Sequence, residues 1–401
     1  MASNAKIIGD LIAADSSVAI PGDGVILASD LADGSVTTAK LADANVTIGK
    51  IATTVPLGTK NIIINGDMRI DQRNAGASVT ATTGNEYSID RFQTVSSVSS
   101  KYTIQQSTTS PDDFVNSVIV TSSSAYSVGA SEQFLLRQFV EGLNSAHLLW
   151  GTANAKTVTL SFWTRSSLTG TFGGAVFNSG GTRSYPFTYT ISSADTWEQK
   201  TITIPGDTSG TWLTTNGVGL TISFGLGAGS TLSGTAGSWA GAYYGSATGA
   251  TSVVGTSGAT WYVTGVQLEV GDTATSFEHR PYDMELARCQ RYYVKWLVPV
   301  NTGGGATTWA TAVDTIRADA VVFLPTTMRT ASLSLTVNSL QFYISTTSGT
   351  GSSGTWSLAY ATNDKVKVIR YTHGSGVFTA GTAIAFSGNG TSGYLALDGE
   401  L

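Results

Sequence analysis

The chain has 401 residues, a net charge of −5 and a charged fraction of 12%, about half the usual ~25%. This excludes the basic footprint of a nucleic-acid binder, and no apolar run approaches the ~18 residues of a membrane span. Hydrophobic residues at 41%, with 9 Trp, 15 Tyr and 14 Phe, suffice for packed cores, and 46 Gly among many Ser and Thr mark an all-β chain rich in turns.

The N-terminus, MASNAKIIGDLIAAD, is interrupted by Asp10, so it lacks the apolar stretch of a signal peptide. A repeat follows. Residues 31–40 read LADGSVTTAK and residues 41–50 read LADANVTIGK, with a degenerate copy before them and a decaying one after. Each unit offers only two or three apolar residues, such as Leu41, Val46 and Ile48, so it cannot bury a face alone. Neighbouring chains must cover it, which predicts residues 1–58 as a slender stalk of parallel strands around an axis, three chains to the axis. The alternative is a disordered Ala/Asp/Thr linker.

Residues 59–280 predict one large β-domain. An apolar run at 61–64 meets the turn Asn65-Gly66-Asp67. Strands are predicted at 91–95, 102–106, 117–121, 132–139, 157–164, 174–178, 185–191, 198–204, 218–224 and 261–270. Val158, Leu160 and Phe162 alternate with Thr157, Thr159 and Ser161, the pattern of a strand buried on one face. Many strands at this spacing without helices between them indicate a sandwich. Residues 225–260 read as a long Gly/Ser/Thr/Ala insertion that also holds Trp239, Tyr243 and Tyr244.

The sandwich closes on the strand 265–270. Pro281 keeps its approach extended, and Asp283 can cap a short helix from Met284 to about Tyr293, with Leu286, Cys289 and Tyr293 on one face. Residues 281–296 are therefore a helical connector. Residues 297–401 predict a smaller β-domain with strands at 320–324, 332–337, 341–344, 355–359, 366–371, 384–387 and 394–397. The single cysteine, Cys289, excludes an intrachain disulfide, fits assembly in a reducing cytoplasm, and reads as a small buried hydrophobe.

Two stretches, NIIINGDMRIDQRNAG at 61–76 and VQLEVGDTATSFEHRPYDMELARCQRYY at 266–293, resemble the tail-fibre and receptor-binding proteins of bacteriophages. The decapeptide repeats are similar to stalk segments of the same proteins. Within 59–280 the order of elements resembles jelly-roll carbohydrate-binding modules. Those open with an Asn-Leu-Leu-x-Asn-Gly-like strand, carry a Ser-Phe-Trp-like central strand and close with a Gln-Leu-Glu-like strand. The counterparts are Asn61 to Asp67, Ser161-Phe162-Trp163 and Gln267-Leu268-Glu269. The chain departs at Met68, where such modules carry Phe then Glu, and this weakens the carry-over of a structural calcium onto Asp67 and Glu269. The resemblance implies a homotrimeric virion fibre or spike that contacts a host-surface glycan. Its N-terminus would join other virion proteins, and it would need no cofactor.

The motifs for other chemistry are weak. His147, His279 and His373 lie in no metal-ligand spacing, so no metal site is predicted. GTGSSG at 349–354 matches the dinucleotide fingerprint, but a Ser/Thr loop precedes it and a strand follows, so it reads as a hairpin loop. Glycoside hydrolysis needs two carboxylates close in space, and Glu132, Glu141, Glu198 and Glu269 are scattered along strands. No catalytic residues are assigned, and the chain is read as a non-enzyme. Sugar binding needs flat aromatic rings and polar groups to fix hydroxyls. Trp212, Trp239, Tyr243 and Tyr244 sit among Gly, Ser and Thr and are the candidate carbohydrate-binding residues, with Trp309 in a Gly/Thr loop of its own. Either they form an exposed platform or they fold back as lids. Trp163, Trp197 and Trp261 lie in regular strands and read as core. The whole is an all-β chain: a repeat stalk, a jelly-roll-like sandwich, one short helix and a C-terminal β-domain. Its rivals are a polysaccharide depolymerase and a purely structural virion part.

Overall fold

A computed structural model describes residues 59–298, 308–344, 354–360, 366–388 and 393–401. The decapeptide repeats and most of the GTGSSG loop lie outside these residues. The chain divides into two compact units, 1–58 and 59–401, and only the second is described.

The strands run, in chain order, β1 (Val79–Thr80), β2 (Gly84–Ile89), β3 (Phe92–Ser96), β4 (Tyr102–Ser107), β5 (Ser117–Ser122), β6 (Gln133–Glu141), β7 (Val158–Ser166), β8 (Gly170–Phe177), β9 (Ser184–Ile191), β10 (Glu198–Ile204), β11 (Val218–Ala228), the short β12 (Ser233–Gly234) and β13 (Ser246–Ala247), and β14 (Thr260–Val270). They form a jelly-roll β-sandwich of two six-stranded sheets, β1-β4-β5-β14-β7-β10 and β2-β3-β6-β11-β8-β9. Within each sheet all pairs are antiparallel, while consecutive strands such as β5, β6, β7 and β8 alternate between the sheets. The core lies between the sheets. It takes the apolar half of each alternation: Val158, Leu160 and Phe162 from β7, Phe134, Leu136 and Val140 from β6, Leu220, Ile222 and Phe224 from β11, and Trp261, Val263 and Val266 from β14.

The two distinctive stretches are partners in space. Ile62 N donates to Leu268 O (2.9 Å), Val266 N to Gly66 O (2.9 Å), and the Asn61 amide bridges both chains through Val266 O (3.0 Å) and Leu268 N (3.1 Å). The chain's entry into the sandwich is thus fastened to its last strand.

The helix α1 spans Tyr282–Gln290, starts after Pro281 and has no side-chain cap, so Asp283 lies in its first turn rather than at its cap. Cys289 is buried against Ile64, Ile70 and Tyr292. Tyr293 is not helical. It opens β15 (Tyr293–Val298), because the β-favouring run Tyr-Val-Lys-Trp pairs with the last strand. The remaining strands are β16 (Thr308–Ala312), β17 (Arg317–Phe323), β18 (Ser334–Asn338), β19 (Leu340–Ile344), β20 (Thr355–Tyr360), β21 (Val366–Thr372), β22 (Ala383–Gly388) and β23 (Gly393–Asp398). They make a three-stranded sheet, β15-β23-β18, and a six-stranded sheet, β19-β22-β16-β17-β21-β20. Trp309 therefore lies in a strand, β16, and not in a loop.

A buried polar network joins the C-terminal sheets to the sandwich. Arg91, only 1% exposed, pairs with Glu400 and stacks 3.5 Å over Tyr292. Arg73 reaches Asp398 (2.9 Å) and Glu400 (3.0 Å). Glu141 at the end of β6 accepts from Arg291 (2.7 and 3.0 Å) and from the Tyr292 hydroxyl (2.6 Å). Arg280 donates to Ile63 O (3.0 Å) and to Glu285 (3.1 Å). Buried charges persist only when paired in this way.

Candidate functional site

Of the four aromatic residues singled out by composition, two meet and two go elsewhere. Trp212 and Trp239 join Trp150 in an edge-to-face trio, with centroids 4.7 Å (Trp150–Trp212), 5.4 Å (Trp150–Trp239) and 5.6 Å (Trp212–Trp239) apart. Each indole N–H donates to a main-chain carbonyl: Trp150 to Lys156, Trp212 to Ser209 and Trp239 to Pro205. Trp212 and Trp239 pack half-buried against the sandwich core. Beside them a cleft lined by Trp150, Trp212 and Leu220 has room for about one water molecule. Trp212 and Trp239 rest on the sandwich core with one side and keep intermediate exposure.

Tyr243 and Tyr244 cover the outer face of the second sheet. Tyr243 stands edge-on to Phe177 (5.0 Å) and its hydroxyl donates to Gln133 (2.9 Å). Tyr244 lies against Gly234, where a Cβ would sit 2.3 Å from its ring. The segment after β11 is held down throughout: Ser223 Oγ donates to Gly245 O (2.8 Å), and Val253 and Val254 are buried in the main core. The Gly/Ser-rich stretch is therefore a fitted cover. Its first residues, 225–228, belong to β11.

The outer face of the first sheet is different. Its lower end is covered by the segment after β14, where Glu269 accepts from Thr275 N (2.9 Å) and Thr275 Oγ1 (2.7 Å), and Gln267 accepts from Glu278 N (2.9 Å). Above that, three aromatic rings remain half-exposed: Trp163, Trp197 and Tyr262. Trp261 is core, at 0% exposed, but Trp163 and Trp197 are not. The signal was in the alternation. Phe162 points inward, so its neighbour Trp163 points outward, and Tyr262 lies between the buried Trp261 and Val263.

Register fixes how these groups are laid out. Tyr262 is opposite Arg165 on one side and Ile119 on the other, and Ile119 is opposite Gln105. Trp197 immediately precedes β10, whose Glu198 pairs with Thr164, so it completes the row beside Arg165. One row across five strands is then Trp197, Arg165, Tyr262, Ile119, Gln105, roughly 19 Å long at the usual strand spacing. The next row holds Gln199, Trp163 and Thr264. Trp197 stands edge-on to Tyr262 (5.9 Å, 68°), so the two rings form a corner, and the Arg165 guanidinium lies 5.3 Å over Tyr262.

Gly265 makes room for this arrangement. It sits at a β-bulge, where the register with β7 jumps between Thr264 and Gln267, and its φ is +60°. Phe114 and Trp163 crowd over it: a Cβ there would lie 2.7 Å from Phe114 and 3.1 Å from Trp163. Phe114 continues the aromatic surface to Phe277 (5.1 Å) and the exposed His279 (5.3 Å).

The acidic residues are engaged one by one. Glu132 accepts from Tyr126 and Gly129 N, Glu141 from Arg291 and Tyr292, and Glu198 from Ser192 N, Ser193 N and Lys200. Burial works against the charge of Glu141 and of Glu198. It is outweighed by the hydrogen bonds from Arg291 and Tyr292 to the first and from Lys200 and the main chain to the second, and both carboxyls are held below their usual range. Asp67 pairs with Arg69, and Glu269 with Thr275, so the carboxylates of the implied calcium site already have partners. Among the described residues no group of three or more His, Cys, Asp or Glu is placed to hold a metal ion.

No protein-family model matches the chain, and no curated protein resembles it in sequence. Among solved structures it is similar to a CBM4 structure, at 15% identity over 52% of this chain and 98% of that one, with a TM-score of 0.27. It is also similar to the family 11 carbohydrate-binding module of Clostridium thermocellum in complex with a mixed-linked tetrasaccharide, at 11% identity over 50% and 100%, with a TM-score of 0.25. A third is the enzymatically active domain of bacteriophage CBA120 tailspike protein 4, at 11% identity over 53% of this chain and 21% of that one, with a TM-score of 0.27. These likenesses are faint, and the jelly-roll architecture rests on the strand order itself.

Proposed function

We propose that this chain is an adhesin of the bacteriophage tail-fibre type, a non-enzymatic virion protein that binds a host-surface glycan as a homotrimer. Residues 1–58 would attach it to the virion. The observation that carries the reading is the open outer face of the first sheet, where Trp163, Trp197 and Tyr262 stand half-exposed beside Arg165 and Gln199. These rings are intermediate in exposure and, unlike Trp212 and Trp239, are not packed on the core, so a flat ligand can stack on them. Pyranose rings stack on aromatic faces through their C–H groups, while guanidinium and amide groups fix the hydroxyls. A shallow site of this kind binds weakly by itself, and threefold presentation raises affinity without new contacts.

Two observations disfavour a depolymerase. A glycosidase needs one carboxyl with a raised pKa. The carboxyls that burial raises, Asp67 and Asp90, are only 4% and 1% exposed and out of a polymer's reach, while Glu141 and Glu198 are held low and each of the four glutamates considered is engaged by its own neighbours.

The deciding experiment is binding of the full chain to host cells and isolated surface polysaccharide. Trp163→Ala with Tyr262→Ala should weaken binding at least tenfold, about 1.4 kcal/mol, while the protein still folds. Trp212→Ala with Trp239→Ala should lower the melting temperature and leave binding intact. If only the second pair abolishes binding, the trio is the sugar site. Release of reducing ends from the polysaccharide would make the protein an enzyme. Solution mass of the full chain and of residues 60–401 tests the trimer, which should persist in both because the stalk offers so few apolar residues.

A further inference from the structure

We infer that the open face of the first sheet takes an acidic polysaccharide, with a sugar carboxylate bound by Arg165 and the sugar ring against Tyr262 and Trp197. The inference rests on the glycan-binding reading and adds the chemical class of the ligand.

The argument starts from how this protein builds arginine–carboxylate pairs where it needs them for structure. Arg183 meets both oxygens of the buried Asp207, at 2.7 and 2.7 Å. Arg291 meets both oxygens of Glu141, at 3.0 and 2.7 Å. Arg370 meets both oxygens of Asp319, at 2.7 and 2.7 Å. These are two-point contacts, the strong and directional form.

Arg165 is held differently. It makes one hydrogen bond, from Nη2 to Asp195 Oδ1 at 3.2 Å, and the Asp195 side chain is 57% exposed. Its Nε–H is buried, as are the unpartnered Nε–H groups of Arg69, Arg73, Arg91 and Arg280, so the donors it can offer a ligand are those of Nη1, which makes no hydrogen bond among the described residues, and the rest of Nη2. A single exposed ion pair of this kind holds the guanidinium only loosely. Arg165 is also the one cation in the two rows that carry the rings, and it rests on the face of Tyr262. A guanidinium resting on the face of Tyr262, with Nη1 free of hydrogen bonds among the described residues and only a loose anion at Nη2, can take a second planar anion end-on. A pyranose carboxylate offers that anion together with the C–H face that Tyr262 and Trp197 can stack on. Phosphate could satisfy the guanidinium, but it would leave the rings without a partner.

Asp195 then acts as an intramolecular competitor, which a carboxylate ligand must displace. Overall charge cannot produce the same preference, since the chain's net −5 repels a polyanion.

The experiment measures binding of the full-length protein to polygalacturonate and to its fully methyl-esterified form, which keeps the sugar backbone and removes the charge. The acidic polymer should bind at least tenfold more tightly. Arg165→Gln should erase that difference while leaving the melting temperature unchanged. Asp195→Asn should strengthen binding of the acidic polymer several-fold and leave the ester unaffected. Equal binding of the two polymers overturns the acidic assignment and leaves the glycan reading intact. Binding of neither polymer overturns the acidic assignment, and absence of binding to host cells as well overturns both. A preference that survives Arg165→Gln moves the anion site elsewhere.

Discussion

Gly265→Ala tests whether the aromatic face is built on the bulge in β14. The native φ of +60° costs an L-residue about 1–2 kcal/mol. The new methyl would also lie 2.7 Å from Phe114 Cζ and 3.1 Å from Trp163 Cδ1. Phe114 Cζ is the far end of its side chain and can swing away, while the Trp163 ring must turn about its Cβ–Cγ bond, at about 0.5–1.5 kcal/mol for an off-rotamer ring. The sum is about 1.5–3.5 kcal/mol, which a sandwich of this size tolerates as a drop of roughly 3–14 °C in melting temperature. Gly258→Ala is the control. Its φ is +74° and nothing lies within 4 Å of the new methyl, so it should lose only the backbone part, about 1–2 kcal/mol. Differential scanning fluorimetry reads both variants, and tryptophan emission reports whether Trp163 has moved. If Gly265→Ala costs no more than Gly258→Ala and emission is unchanged, the close approach of Phe114 and Trp163 does not shape the face.

Gly66→Ala should be far more severe. Its methyl would sit 2.1 Å from the carbonyl oxygen of Val266, which is main chain and cannot swing aside, so a loss above about 4 kcal/mol and little soluble protein are expected. The pH dependence of stability should have two limbs. Burial pushes the Asp90 carboxyl from its ordinary 3.8 up to about 7, so the folded state holds a proton that the unfolded state lacks between those values. The melting temperature should therefore rise as pH falls from 8 toward 5, and Asp90→Asn should flatten that limb. Below about pH 4.5 the direction reverses, because the contribution of Glu141, held below its ordinary 4.5, is lost as it protonates. Burial also pushes the Cys289 thiol well up, so it should resist alkylation in the folded protein and react on unfolding; Cys289→Ser should cost about 1–3 kcal/mol through the buried hydroxyl. Fast alkylation of the native protein would contradict that packing.

Much of the architecture was legible in local pattern. The two-residue alternation placed β7, β11 and β14, because a strand buried on one face must repeat its apolar residues every second position. Asn65-Gly66 marked a turn, and its glycine is required by the close main-chain approach to Val266. Polar or ambiguous segments were not legible. GNEYSI forms β2 because β3 supplies its hydrogen bonds, and YVKW forms β15 although it follows a helix directly, because β23 lies beside it.

The candidate site divides in the same way. Alternation determines that Trp163 and Phe162 face opposite ways, and it could have separated Trp163 from Trp261. It cannot say which outer face stays open. Both sheets have one. The second is covered by the segment carrying Tyr243 and Tyr244, and the first is covered only below Thr264, by residues fastened to Gln267 and Glu269. That choice is made by contacts between residues such as Ser223 and Gly245, or Gln133 and Tyr243, which are 22 and 110 positions apart. Strand period is a local property of the chain. Cover is a property of which distant segments fit against a face, and only the folded structure decides it.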